Sequence, residues 1–97
     1  SQTEEEISEM VRGAMSKLTP HQRKIFEAML TQRNGGTFQF LRDVKGGWQE
    51  IAGGPGDDAI NRQLKQIRQR LGAKDFQFEI SEANHNFKWI KRADRER

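Results

Sequence analysis

Hydrophobic residues recur at helical spacing in the first segment of the chain. They occupy positions 7, 10, 11, 14, 15 and 18, which is the spacing of one face of a helix. Thr3 and Glu6 have the spacing of a capping box, and the early glutamates suit the positive end of a helix dipole. This pattern predicts an amphipathic N-terminal helix over residues 1–18 that is acidic at its start.

A second helical pattern follows directly. Thr19 and Gln22 again have the spacing of a capping box, and Pro20 suits the first position of a helix. The hydrophobic stripe that follows is Ile25, Phe26, Met29 and Leu30. We expect this helix to end at Asn34–Gly36, because asparagine and glycine tolerate the left-handed conformation of a helix C-cap.

Residues 37–56 fit two patterns. The run TFQFL alternates like a short strand, yet a helical face is also present in Phe40, Leu41, Val44 and Trp48. Glycine-rich runs interrupt the segment at KGGW and AGGPG. We predict one short helix here and leave its limits open.

The clearest change of period lies in the last third of the chain. DDAINRQLKQIRQRLG, residues 57–72, has a helical stripe of Ile60, Leu64, Ile67 and Leu71, with Asp57 or Asp58 as the expected cap and Gly72 at its end. Hydrophobic residues then alternate in FQFEI (76–80) and NFKWI (86–90), which five residues connect. This order predicts a helix followed by a β-hairpin.

Composition favours one small domain. Only 33% of the 97 residues are hydrophobic and 32% are charged, so we expect a small core that includes Trp48 and Trp89. The predicted fold is mainly α with a C-terminal β-hairpin. Residues 1–18 form the added helix, residues 19–92 form the domain, and residues 93–97 form a charged, frayed tail.

Charge is distributed unevenly along the chain. The net charge is +3, and residues 1–18 contain four acidic and two basic side chains, which leaves fifteen basic against ten acidic groups in the rest. A basic body weakly favours a polyanionic partner. Cysteine is absent, which excludes disulfides and thiolate metal sites and fits a cytoplasmic protein. No apolar run approaches the roughly 20 residues that a membrane span needs.

The polar side of segment 57–72 carries the candidate chemistry. Opposite its hydrophobic stripe lie Arg62, Lys65, Gln66 and Gln69, and the flanks hold Asn61 and Arg68 on one side, Gln63 and Arg70 on the other. Arginine can bind guanine, glutamine or asparagine can bind adenine, and lysine neutralises phosphate. Surface helices are often rich in these residues, but this one has no acid from Ala59 to Ala73. Only Asp57 and Asp58, at its start, oppose DNA binding.

The predicted hairpin adds further cations next to this helix. Asn84, His85 and Lys88 lie in or near it, and we expect phosphate contacts from Arg68, Lys74, Lys91 and Arg92. Together these residues predict a binding surface for double-stranded DNA.

Three segments resemble winged helix-turn-helix output domains of the OmpR/PhoB type. LTPHQRKIFEAML resembles the first helix of these domains, DDAINRQLKQIRQRLG resembles their recognition helix, and FQFEISEANHNFKWI resembles their closing wing. The resemblance covers about residues 18–91 and is one of fold. It departs from the family at the N-terminus, where an acidic helix replaces a four-stranded sheet, and in the wing, which lacks a glycine-rich tip.

The resemblance implies a DNA-binding module that reads the major groove through Arg62, Lys65, Gln66 and Gln69, with wing support near His85 and Lys88. We expect a regulatory module, for example in transcription, that belongs to a larger protein. The alternatives are a winged helix that serves protein interaction or oligomerisation without nucleic acid, and an RNA-binding module.

Other chemistry is not indicated by the sequence. His21 and His85 stand without a metal-type pattern, GGPG lacks the lysine of a phosphate loop, and no serine–histidine–acid set is suggested. We therefore expect no enzyme activity, metal, cofactor or small-molecule ligand. The N-terminal helix can pack on its own domain or form a homodimer, and both interpretations stay open.

Overall fold

The structure, a computed structural model, describes residues 3–48 and 54–95. Within these residues four α-helices and a three-stranded antiparallel sheet form one α+β fold. In chain order the elements are α1 (Glu4–Met15), α2 (Pro20–Leu30), β1 (Gly35–Thr37), α3 (Phe38–Arg42), α4 (Asp57–Leu71), β2 (Phe76–Ser81), β3 (Asn86–Arg92) and a 3-10 turn (Ala93–Arg95).

Both predicted capping boxes are present. The Oγ1 atom of Thr3 accepts a hydrogen bond from the backbone N–H of Glu6 at 3.1 Å, and Glu6 accepts one from the N–H of Thr3 at 3.3 Å. Thr19 and Gln22 make the same exchange at the start of α2, at 3.3 and 3.2 Å. Each box satisfies two backbone donors that the first turn of a helix leaves unpaired, which explains why both helices begin where the sequence predicts.

The start of α4 differs from the prediction. Gly56 is the N-cap residue, and no side chain caps the helix. The expectation that Asp57 or Asp58 would cap α4 is therefore wrong, because the carboxylate of Asp57 binds Arg42 and His85 instead. The predicted end at Gly72 is confirmed, since this glycine is the C-cap residue with a φ of 68°.

The ambiguous segment after α2 forms both a strand and a helix. β1 covers Gly35–Thr37, and Thr37 caps α3, whose Phe38 and Leu41 are buried. α2 ends at Leu30, so the glycines after it do not cap α2 as predicted. Gly35 instead has a φ of 147°, and a side chain there would collide with the carbonyl oxygen of Phe87. The short helix was predicted within residues 37–56, and residues 49–53 of that range lie outside the described residues.

The predicted hairpin is the larger part of the sheet. β2 and β3 pair antiparallel, β1 pairs with the other side of β3, and the strand order is β1-β3-β2. The fold is thus α+β rather than mainly α with a hairpin alone, because a segment far away in sequence adds a third strand.

One hydrophobic core joins the helices to the sheet. The four residues predicted for the inner side of α4 are all buried: Ile60, Leu64, Ile67 and Leu71. Phe26, Phe76, Phe78, Phe87 and Trp89 pack edge to face, with ring centroids 5.2–6.3 Å apart. Both tryptophans contribute to the core as predicted, Trp89 buried and Trp48 half-buried against it. Their indole N–H groups donate to the carbonyls of Met29 and Leu41.

The stripe of α1 packs on the same domain. Ala14 and Leu18 are buried in the core, and Met10, Val11 and Met15 pack against it. α1 also contacts the 3-10 turn Ala93–Arg95, in which Ala93 is buried. The loose tail expected from residue 93 therefore does not include Ala93, and the stripe of α1 from Met10 onward packs in or against the core of its own domain.

Candidate nucleic-acid interface

α4 has 15 residues and is therefore about 22 Å long, given a rise of about 1.5 Å per residue. We call four exposed side chains opposite its buried stripe the outward face of α4: Arg62, Lys65, Gln66 and Gln69. The exposed Asp58 lies on the same side of the helix, four residues before Arg62. Arg68 and Arg70 are exposed beside it. The four side chains lie together as the sequence predicts, because the narrow hydrophobic stripe holds the opposite side of the helix against the core.

An acidic residue of the hairpin loop borders the outward face on one side. The Oε1 atom of Glu82 accepts hydrogen bonds from Asn61 Nδ2 at 2.6 Å and from Lys65 Nζ at 3.3 Å. The hydrogen bond from Lys65, the one from Asn61 and the positive charge of Lys65 lower the pKa of Glu82. The sequence analysis missed Glu82, whose only signal was an acid in the predicted hairpin loop after a helix with no acid beyond its first turn.

Of the two acids at the start of α4, Asp57 is paired within the fold, whereas Asp58 is exposed. Asp57 forms an ion pair with Arg42 of α3, and its other oxygen lies 3.0 Å from Nδ1 of His85. Arg42 also donates to the carbonyl of Pro55 at 2.6 Å. The charge of Asp57, which argued against DNA binding at the sequence level, is therefore directed toward α3 and the hairpin loop.

His85 fixes the end of the hairpin loop next to α4. It has a left-handed backbone with a φ of 53°, and its carbonyl accepts a hydrogen bond from the N–H of Phe38 at 2.8 Å. Its ring packs edge to face on that of Phe38. Together with the contact to Asp57, these interactions hold the loop against the N-terminal halves of α3 and α4.

A cleft borders the outward face on its other side. It lies between the start of α2 and α4 and has a volume of about 370 Å³. Its lining includes Arg62, Gln63, Gln66 and the half-buried Trp48. The buried side chain of Gln22 donates to Gln63 at 3.3 Å and to Gln66 at 3.1 Å.

The cations predicted near the end of the hairpin divide into two groups. Lys74 and Lys88 are exposed, while Lys91 is half-buried and its ammonium donates to the carbonyl of Lys74. Arg92 is only 6% exposed. Its guanidinium donates to the carbonyls of Leu30 and Gln32 and to Asp94, and it lies over the ring of Trp89.

Arg92 therefore does not belong to the candidate interface, contrary to the sequence prediction. Its donors satisfy carbonyl oxygens that the C-terminal turn of α2 leaves unpaired, and this structural use directs the side chain inward. The other predicted residues lie on α4, on the hairpin or on the connection between them. Among these residues, Asn61 and Lys65 donate hydrogen bonds to Glu82.

Comparison of the chain with protein-family models, curated protein sequences and solved structures returns no match. Over residues 3–48 and 54–95, no helix combines the length and the apolar character needed to cross a membrane. Across the same ranges, histidine and acidic side chains form no cluster of three that could hold a metal ion.

Proposed function

We propose that the chain is a DNA-binding winged-helix module in which α4 enters the major groove of double-stranded DNA. One observation carries the proposal. From Arg62 to Gln69 the outward face of α4 places two cations and two amides side by side, one turn after the exposed Asp58, next to a hairpin that the fold holds against the same helix. Cations and amides are the groups that bind phosphates and base edges.

The order of the elements supports the winged-helix part of this proposal. From α2 onward, three helices are followed by a β-hairpin, which is the order of a winged helix-turn-helix. β1 ties the connection between the first two of these helices to the hairpin through its pairing with β3. In this arrangement α4 is the recognition helix and the hairpin is the wing.

Each part of the surface then has a role. Arg62, Lys65, Gln66 and Gln69 contact base edges or nearby phosphates, with Asn61 beside them at the wing. Phosphate contacts come from Arg68, Lys74, Lys88 and Lys91, and His85 places the wing loop. Each exposed cation that binds a phosphate displaces counterions from the DNA. The affinity for DNA therefore falls strongly as the salt concentration rises.

A double charge reversal tests this function. Arg62→Glu with Lys65→Glu places two carboxylates in the proposed groove contact, and we expect the affinity for duplex DNA to fall by at least about 100-fold, since each reversal removes a favourable charge and adds a repelling one. Binding is measured by fluorescence anisotropy of a labelled duplex pool, and circular dichroism checks that the helices are retained.

The matched control reverses two cations elsewhere. Arg12→Glu with Lys17→Glu makes the same change in net charge at exposed positions on and just after α1. We expect this variant to lose less than about tenfold, because the repulsion acts from a distance and is screened over about 8 Å at physiological salt. Equal losses in the two variants would reject α4 as the interface.

A further inference from the structure

Gln22 occupies an unusual place for a polar side chain. It lies at the start of α2, is only 2% exposed, and makes hydrogen bonds at both ends of its amide group. Its Oε1 atom accepts from the backbone N–H of Thr19 at 3.2 Å as part of the capping box. Its Nε2 atom is directed toward α4.

The capping box fixes which way round this amide lies. A backbone N–H can only donate, so the atom of Gln22 that faces Thr19 must be the carbonyl oxygen. The NH2 group then faces α4, and it reaches the Oε1 atoms of Gln63 at 3.3 Å and Gln66 at 3.1 Å.

The orientation of Gln22 sets that of its two partners. Because Gln63 and Gln66 turn their carbonyl oxygens toward Gln22, each has its NH2 group left for the cleft. Arg62, which lines the same cleft, carries donors only. This part of the interface therefore offers hydrogen-bond donors from three neighbouring side chains.

We propose that Gln22 is a positioning residue for base recognition, which directs Gln66 to read hydrogen-bond acceptors on the DNA. This inference rests on the proposed function. The pairing of glutamine with adenine uses both ends of the amide, since its oxygen accepts from N6 while its nitrogen donates to N7. With its oxygen held by Gln22, Gln66 instead favours the keto bases, guanine through O6 and N7 or thymine through O4.

A buried substitution that never touches DNA provides the test. Gln22→Glu preserves the capping box, because glutamate also accepts from the N–H of Thr19. The carboxylate has no hydrogen to donate, so Gln63 and Gln66 must turn their NH2 groups toward it and leave their carbonyl oxygens for the cleft. The base preferred opposite Gln66 should then change from a keto base to adenine or cytosine, whose amino groups donate.

The measurement is selection of bound duplexes from a random pool at physiological salt, with the position read by Gln66 identified as the one that loses its preference in Gln66→Ala. We expect the chain to favour guanine or thymine at that position by at least about fivefold, the lower end of the effect of one mismatched base pair. Gln22→Glu should reverse the preference by a similar factor. A purely structural role of Gln22 would change affinity or stability without reversing the base.

Gln66→Glu keeps the test decisive if Gln22→Glu does not fold. Position 66 is exposed, and a glutamate there still accepts from Gln22 while it presents only acceptors to the cleft. We expect this variant to select adenine or cytosine at the same position. If every variant that folds binds DNA and selects the same base as the unaltered chain, the inference is wrong while the proposed function stands. If the unaltered chain binds no DNA, both are wrong.

Discussion

Arg92 shows how one extra residue in a strand redirects a charged side chain. Phe76 pairs with Arg92 and Phe78 with Trp89, so β3 contains one residue more than β2 across this interval. The irregularity shifts the alternation of β3 by one position beyond Ile90, which turns Arg92 toward the core. Ile90 follows the regular alternation after the buried Trp89 and lies outside at 56% exposure. The basic run at the end of the hairpin therefore serves both the fold and the surface.

We expect Arg92→Ala to lower the free energy of unfolding by about 2–3 kcal/mol, because it leaves Asp94 and the carbonyls at the end of α2 without their donor. Urea unfolding measures this change. The salt dependence of DNA binding should stay as it is, since Arg92 contacts no phosphate in the proposed complex.

Lys88→Ala is the matched control, because this exposed lysine lies on the same strand. Its effect on unfolding should remain within about 0.5 kcal/mol. The slope of log affinity against log salt should become shallower by about 0.9, the value for one phosphate contact. If Arg92→Ala weakened the salt dependence and left the stability unchanged, the structural assignment of Arg92 would be wrong.

At the scale of elements, two acidic residues hold the hairpin loop on α4, one from each side of the contact. Asp57 of α4 contacts His85 of the loop, and Glu82 of the loop contacts Asn61 and Lys65 of α4. The first contact lies at the start of α4, while the second engages Lys65 on the outward face. In the proposed complex, DNA competes with Glu82 for the charge of Lys65.

We expect Glu82→Gln to bind DNA several-fold more tightly than the unaltered chain and to steepen the salt slope by about 0.9, because Lys65 becomes available to a phosphate. Glu27→Gln removes the same charge from an exposed position of α2 and controls for net charge. Weaker binding of Glu82→Gln would show that placing the loop matters more than the charge of Glu82.

The contact of Glu82 also predicts a dependence of stability on pH. The pKa of Glu82 is lowered in the folded chain, so its contribution is present above the ordinary carboxyl pKa and is lost as the pH falls through the lowered value. The difference in stability between the unaltered chain and Glu82→Gln should therefore shrink below pH 4 or so. Urea unfolding at several pH values measures it, and a difference that grows in acid would contradict the assignment.

Replacement by alanine should have opposite effects on stability at Gly35 in β1 and at Gly13 in α1. Gly35→Ala should cost more than about 3 kcal/mol, because the added methyl group meets the backbone of Phe87 at a φ that alanine rarely adopts. Gly13→Ala, within α1 and with open space around it, should add about 0.5–1 kcal/mol of stability. Thermal unfolding compares the two, and equal effects would contradict the pairing of β1 with β3.

At the scale of the molecule, the sequence was sufficient where an element is long and periodic. α1, α2, α4 and both strands of the hairpin were predicted, because each repeats its hydrophobic positions often enough to define a period. The short helix predicted within residues 37–56 is confirmed as α3, but β1 and α3, with three and five residues, are too short for a period to define their limits. β1 forms its strand hydrogen bonds with β3, which lies about fifty residues away in the sequence. No local sequence pattern therefore predicts β1.

The residues of the candidate site also divide into those that the sequence pattern predicts and those that it does not. The outward face of α4 was predicted because helical geometry places its members together once the buried stripe is known. Glu82, Gln22 and the inward turn of Arg92 depend on contacts between distant segments and on an irregular strand register. These contacts decide which cations and amides remain available, and only the folded chain brings them together.

The central claim is that the exposed cations around α4 meet the phosphates of double-stranded DNA. The most direct measurement is a titration of labelled duplex DNA by fluorescence anisotropy at salt concentrations from about 50 to 200 mM. With roughly four to six phosphates neutralised, we expect log affinity to fall against log salt with a slope of about −4 to −5. A slope near zero, or no binding at the lowest salt concentration, would contradict the claim.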